Sequence, residues 1–446
     1  MKSSKLSPSK LLPPKLLPSK KCPALFIAAT ASGEGKTTVT AGIARYYSNQ
    51  GKRVRVFKIG PDYLDPMILE KASENSVYPL DLWMVGEKEC KNLLYEAASE
   101  SDLMLIEGAM GLFDGTPSGA DLAELFGIPV IVTINARSMA QTFAAVALGM
   151  TNFNPRLNMA GVLAVRTRSE WHDHVIRTQL SDKINFLGSV HEDQEAALPS
   201  RHLGLIQANE IKRLDWRLDK AAEAISQTKL ASLPEPCEFS HEPVEPPQLG
   251  DLSGCRIGVA KDDAFSFIYP ANIKCLQAMG AEIQFFSPLN DKLLPEVHSL
   301  WLPGGYPELH LPQLHNNQTM LQSIKQHYDN GKKIYAECGG MLYLAQTFQD
   351  LTGNSTEMVG IIPGTGILKE KGGCQGMQSI VLPQGKIRGH AHHRSTLETT
   401  LSPINHGLRT RSDVSGEAIY QLNTLTASFL HAYFPSNPKA TASLFA

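Results

Sequence analysis

The sequence predicts an α/β protein built as two doubly wound domains, and three observations carry that expectation. Short apolar runs alternate with helical stretches along most of the chain, the pattern of parallel strands joined by crossover helices. A glycine-spaced turn follows the first such run and opens directly into a helix, as a phosphate-binding loop does. A stretch rich in proline and glutamate, residues 233–251, interrupts the alternation; it cannot build a core and reads as a linker. At 446 residues the chain is too long for one compact core, which agrees with domains at 23–232 and 252–446.

Composition narrows the class. A net charge of -2 leaves no electrostatic footprint for nucleic acid, and no apolar run approaches the ~20 residues of a membrane span, so neither partner is expected. The seven cysteines are scattered, odd in number and never spaced Cys-x-x-Cys, which argues against a disulfide framework and a zinc site and places the protein in the cytoplasm.

Taken in order, residues 1–22 form a basic tail of Lys, Leu, Ser and Pro. Its leucine pairs are broken by proline, so it lacks the apolar segment of a signal peptide and is expected to be disordered. The first strand is expected at 25–29. It feeds Ala28-Ala29-Thr30-Ala31-Ser32-Gly33-Glu34-Gly35-Lys36-Thr37-Thr38-Val39, with Thr30 where a first glycine is usual. Gly33 and Gly35 let the backbone N–H groups of 33–38 close around phosphate oxygens, Lys36 reaches the terminal phosphates, and the Thr37 hydroxyl can ligate Mg²⁺. An ordinary glycine turn is the plainer alternative, disfavoured because Gly35-Lys36-Thr37-Thr38 opens the helix directly. ATP is therefore expected at Gly33, Glu34, Gly35, Lys36, Thr37 and Thr38.

Further strands are expected at 53–59, 103–106, 130–134 and 161–165, with helices at 87–99 and 139–149 between them. Ligands of such sheets gather beyond the carboxyl ends of the strands. There stand Gly60-Pro61-Asp62-Tyr63-Leu64-Asp65-Pro66 and Glu107-Gly108-Ala109-Met110-Gly111-Leu112-Phe113-Asp114-Gly115. Glu107, directly after a strand, is the expected second Mg²⁺ ligand. Asp62, Asp65, Asp81 and Asp114 flank Gly/Pro turns, where acids more often form turns than do chemistry; only their shared edge of the sheet raises them above that.

Past the linker, 256–260, 283–286, 299–302 and 333–336 again read as strands. Cys338 falls where the last of these meets a helix, followed by Gly339 and Gly340, the placement of a nucleophile on a sharp turn. The helix N-terminus is expected to favour its thiolate. Gly305, after another strand, and Gly339 are the expected oxyanion donors. An inert buried thiol is the alternative. Candidate bases are His390, His392, His393 and His431. The first three form a cluster without the carboxylate or cysteine spacing of a metal site, whereas His431 ends a strand-like run at 427–430 and is assigned as base.

These stretches, together with Leu80-Asp81-Leu82-Trp83-Met84, Pro199-Ser200-Arg201-His202-Leu203-Gly204-Leu205 and Leu302-Pro303-Gly304-Gly305-Tyr306-Pro307-Glu308, resemble in their order the cobyrinate a,c-diamide synthases, amidotransferases of the corrin pathway. The resemblance covers nearly everything after the tail. It implies a dethiobiotin-synthetase-like ATPase domain followed by a class I-like, flavodoxin-like glutamine amidotransferase domain, together a ligase of cobalamin biosynthesis. Its substrates would be cobyrinate or the cobalt-free hydrogenobyrinate, L-glutamine and ATP with Mg²⁺. Cys338 and His431 would release ammonia from glutamine, while ATP would phosphorylate a macrocycle carboxylate that ammonia then converts to an amide, at positions a and c. Contacts to the macrocycle would fall at Asp62, Tyr63, Asp65, Asp81 and Asp114. A homodimer is left open. Three positions depart from the family pattern: Val165 for an Asn that reads adenine in related ATPases, Asn135 for an Asp, and Ala391 for a Glu. A cobyric acid synthase-like enzyme amidating other side chains is the nearest rival. A P-loop switch ATPase would leave the Cys338 domain unexplained.

Overall fold

The computed structural model describes residues 17–201, 204–243, 248–410 and 414–446. Most of the expected tail (1–16), His202 and Leu203 of one family stretch, and 244–247 of the expected linker lie outside the described residues.

Among the described residues, seven strands form the parallel part of the first sheet. Across the sheet they run Tyr78–Leu80, Val54–Ile59, Leu103–Glu107, Lys20–Ala29, Val130–Asn135, Met159–Thr167, Phe186–His191. The central strands are continuous apolar runs buried on both faces, Leu103–Glu107 along its whole length, as helices on either side require. Helices Lys36–Ser48 and Leu214–Ser226 pack together against one face. The phosphate loop leaves the middle strand, where the chain turns outward to both edges of the sheet and a crevice opens.

Two expectations at this end of the chain need correcting. The first strand starts at Lys20, not Leu25, and Pro236–Phe239 of the expected linker pairs with it antiparallel, Lys20 opposite Phe239 and Cys22 opposite Cys237. Cys22 and Phe239 are buried and Pro18 accepts a hydrogen bond from Tyr95 at 3.1 Å, so a partner strand distant in sequence orders residues that look featureless alone. The strands Tyr78–Leu80 and Phe186–His191, at the two edges, were not expected. One is three residues long and the other carries glycine, serine and histidine, which hides the apolar pattern.

The second sheet has a parallel part, Glu282–Phe286, Arg256–Ala260, Ser299–Leu302, Lys333–Glu337 and Leu425–Ser428 in that spatial order. An antiparallel ribbon extends it through Ser415–Leu422, Asn405–Arg409, Cys374–Leu382 and Gly385–His393 to His431–Ala432. That last pairing sets His390 opposite His431. The two sheets share a core: Phe267, Tyr269 and Tyr433 from the second half pack in one buried cluster with Phe57, Tyr63 and Met84 from the first.

Candidate active site between the two sheets

In the phosphate loop, Gly33 and Gly35 have φ of 77° and 85°, left-handed values that any side chain would strain. Lys36 is buried and donates to the carbonyls of Ala31 (3.1 Å) and Met110 (2.5 Å). Burial, and then the nearby Lys58 ammonium, lower its pKa. Two of the departures from the family pattern bear on this loop. The backbone N–H of Asn135 donates to the Glu34 carboxylate at 3.1 Å, so the Glu34 side chain braces the loop from outside the cavity that Lys36 faces. Val165 packs beside Gly35, and its neighbour Arg166, at φ 58°, donates to the Gly33 carbonyl at 3.0 Å.

The hub beside the loop is Lys58, which sequence reading missed. Its ammonium lies 2.6 Å from Asp65, 2.7 Å from Glu107 and 3.7 Å from Asp62. Burial works against the charge, but the three carboxylates outweigh it and hold Lys58 well above the usual lysine range. Burial, then the Asp65 charge, pushes Asp62 up to about 7, whereas Lys58 overrides burial to keep Asp65 below the ordinary carboxylate value. A lysine ending a strand whose following turn carries two acids was the available signal. Glu107 accepts from the Thr37 hydroxyl at 3.0 Å through one oxygen, and its other oxygen is buried without a partner. A free carboxylate oxygen beside that hydroxyl is a donor set suited to Mg²⁺. Among the described residues, no group of three or more His, Cys, Asp or Glu side chains is arranged to hold a metal by itself.

Asp81 and Asp114, expected beside the substrate, are turn formers instead. Asp81 accepts from the N–H groups of Trp83 (2.9 Å) and Met84 (2.6 Å), and Asp114 from that of Gly111 (2.9 Å). Neither lines the cavity; each carboxylate accepts from local backbone donors.

Cys338 follows the Lys333–Glu337 strand at φ 45°, ψ -109°, a strained turn pinned by its own N–H to the Ser428 carbonyl at 2.8 Å. The expected thiolate is not what this environment favours. Burial first, then Glu308, raises the thiol pKa, and the helix beyond, Gly339–Tyr343, is too short to compensate. Cys338 and His431 meet across Gly304: a Cβ there would lie 2.3 Å from His431 Cε1 and 3.4 Å from Cys338 Cβ, so only glycine fits. Burial, then His390, lowers the His431 pKa well below its usual value, and its Nδ1 is buried without a hydrogen-bond partner. The Gly305 nitrogen comes within 3.2 Å of a Cβ built on Gly339, so the two expected oxyanion donors are neighbours. Glu337, also missed, lies beneath them; it accepts from the Ala432 N–H (2.8 Å) and the Trp301 indole (3.2 Å), and burial pushes it up to about 8. It anchors the backbone just after His431. An acid immediately before the cysteine was its signal.

The two centres face one cavity of about 640 Å³. Lys36, Thr37 and Asp65 line one side; Cys338, Gly339 and His431 line the other. Such a pairing defines a nucleotide-dependent glutamine amidotransferase. Two family models agree: a CobQ/CobB/MinD/ParA nucleotide binding domain matches residues 25–206, and a CobB/CobQ-like glutamine amidotransferase domain matches 256–439. Among curated proteins, the hydrogenobyrinate a,c-diamide synthase of Pseudomonas aeruginosa is 51% identical over 95% of this chain and 98% of its own length. That of Stutzerimonas stutzeri is 52% identical over 95% and 98%, and the cobyrinate a,c-diamide synthase of Herminiimonas arsenicoxydans 46% over 94% and 96%. The chain belongs to the a,c-diamide synthase family.

Proposed function

We infer that this chain is a ligase of cobalamin biosynthesis that amidates the a and c side-chain carboxylates of hydrogenobyrinate or cobyrinate with nitrogen from glutamine, at the expense of ATP. The single observation that carries the mechanism is the common cavity, into which Lys36 and Cys338 both open. The two relatives named for hydrogenobyrinate are 51% and 52% identical against 46% for the one named for cobyrinate, which makes the cobalt-free macrocycle the first substrate to try.

In the proposed sequence, Cys338 gives its proton to His431 and attacks the side-chain amide carbon of glutamine. The N–H groups of Gly305 and Gly339 support the oxyanion. The tetrahedral adduct collapses, ammonia leaves with the proton returned by His431, and water hydrolyses the thioester to glutamate. A raised thiol pKa fits this order, because the proton passes to His431 as the bond forms rather than beforehand. In the other half, a macrocycle carboxylate attacks the γ-phosphorus of ATP and ADP leaves. Lys36 offsets the charge that grows on the transferring phosphoryl group, and ammonia then displaces phosphate from the acyl phosphate. Mg²⁺, held by Thr37 and Glu107, would neutralise phosphate charge. Asp62, Tyr63 and Asp65 are the proposed substrate side of the cavity. A cytoplasmic setting belongs to the same reading; no helix among the described residues is long and apolar enough to cross a membrane.

The test separates the two ammonia sources. Cys338→Ala should abolish amide formation from glutamine while leaving formation from ammonium salts near the wild-type rate, with products assigned by mass spectrometry. Loss of both activities contradicts the division of labour between Cys338 and the phosphate loop.

A further inference from the structure

Tyr63 belongs to the phosphate-loop half, on the turn after the Val54–Ile59 strand, yet its ring packs on the glutaminase half. It stacks on Phe267 with centroids 4.9 Å apart and planes 1° from parallel, and its centroid lies 4.5 Å from Tyr269, 5.6 Å from His390 and 5.4 Å from His431. His390 in turn stacks on His431 at 5.1 Å and meets the Tyr269 hydroxyl at 2.9 Å. Tyr63 is therefore a wall of the pocket that holds the proposed base.

The other end of the same turn is tied to the phosphate loop. Asp62 and Asp65, on either side of Tyr63 and Leu64, hold the Lys58 ammonium; Lys58 holds Glu107, and Glu107 takes the Thr37 hydroxyl. Contacts thus run unbroken from Thr37 to His431 through one short turn. That turn is also a partition: Lys58, Gly60, Asp62 and Tyr63 line both the reaction cavity and a second groove of about 1050 Å³ between the sheets.

We propose that Tyr63 couples the two centres, its ring crowding the His431 end of the shared cavity until a nucleotide at the phosphate loop shifts the turn that carries it. A triphosphate against Lys36 and Thr37 brings negative charge next to Lys58. It competes with Asp62 and Asp65 for that ammonium, and these are the contacts that fix the turn. The coupling is reciprocal: glutamine seated beside Cys338 displaces the ring and favours the nucleotide-bound arrangement. Tyr63 acts as a positioning residue, not as a participant in either bond exchange.

This inference rests on Cys338 as the glutaminase nucleophile, and the experiment keeps the two apart. Glutamate release by the full chain is measured with and without ATP and hydrogenobyrinate. Alkylation of Cys338 by iodoacetamide, read by peptide mass spectrometry, is followed with and without a non-hydrolysable ATP analogue. In wild type both respond to the nucleotide, by about 5-fold or more at the low end of typical coupling. In Tyr63→Leu both become independent of it. Tyr63→Phe, which keeps the stacked ring, retains the wild-type response, and Phe267→Leu, which removes the facing ring, loses it. Wild-type nucleotide response in Tyr63→Leu and Phe267→Leu, or loss of glutamine hydrolysis by both under every condition, overturns the proposal. Glutamine hydrolysis persisting in Cys338→Ala would instead overturn the reading beneath it.

Discussion

At the scale of single residues, Lys36 and Gly304 divide the chemistry between them. In the proposed mechanism Lys36 contributes charge to phosphoryl transfer, upstream of ammonia whatever its source. Lys36→Ala should therefore depress amide formation from glutamine and from ammonium salts alike, by ~2–4 kcal/mol of barrier; near-normal turnover would put the nucleotide elsewhere. Gly304 has the opposite signature. A methyl group there would fall on the His431 ring at 2.3 Å, in a core that cannot yield cheaply, so the imidazole must leave its place. Gly304→Ala should cost glutamine-dependent synthesis at least the ~10²-fold typical of losing a general base, with ammonia-dependent synthesis spared. Equal loss of both activities would show that the glycine serves the fold and not His431.

At the scale of elements, the helix Gln318–Asp329 carries a buried histidine remote from the cavity. His327 meets the Lys333 carbonyl at 3.3 Å, and burial holds its pKa down to about 4. The sign follows from linkage. The unfolded chain, with a histidine near 6.5, takes up the proton first as pH falls, so the folded state loses stability from about pH 6.5 downward and the loss levels off below about 4. The full difference amounts to about 2–4 kcal/mol. His327→Gln should narrow the gap in melting temperature between pH 7 and pH 4.5 relative to wild type; an unchanged gap would mean that the histidine titrates normally in place. The strands themselves were legible where burial on both faces made continuous apolar runs, as at Leu103–Glu107 and Val130–Asn135. The strand at Pro236–Phe239 was not, because proline, cysteine and glutamate acquire extended structure there only from pairing with residues more than 200 positions away.

At the scale of the molecule, the two halves are joined by a core and not by a tether. Phe267, Tyr269 and Tyr433 are buried against side chains of the first sheet, and Gln207 reaches across to the Asp263 carbonyl at 2.9 Å. An apolar interface of this kind couples unfolding, whereas halves joined by a linker alone would melt independently. Calorimetry of the full chain should show one transition, with Tyr63→Leu lowering its midpoint. Two resolved transitions in the wild type would contradict the shared core.

The sequence alone determined the α/β class, the phosphate loop and the cysteine turn, because each is written in a short contiguous stretch: apolar period, glycine spacing, a nucleophile between strand and helix. It also carried the order of motifs by which the family resemblance was drawn. The tertiary structure decided which of the flanking acids meet at the site. Asp62, Asp65 and Glu107 converge on Lys58, while Asp81 and Asp114 turn to their own backbones, although all sit near turns in the sequence. It decided too that burial raises the thiol's pKa and that Tyr63 lies against His431, since burial and contacts across two sheets depend on residues hundreds of positions apart. Spacing along a chain encodes local geometry; electrostatics and cavities belong to the packed whole.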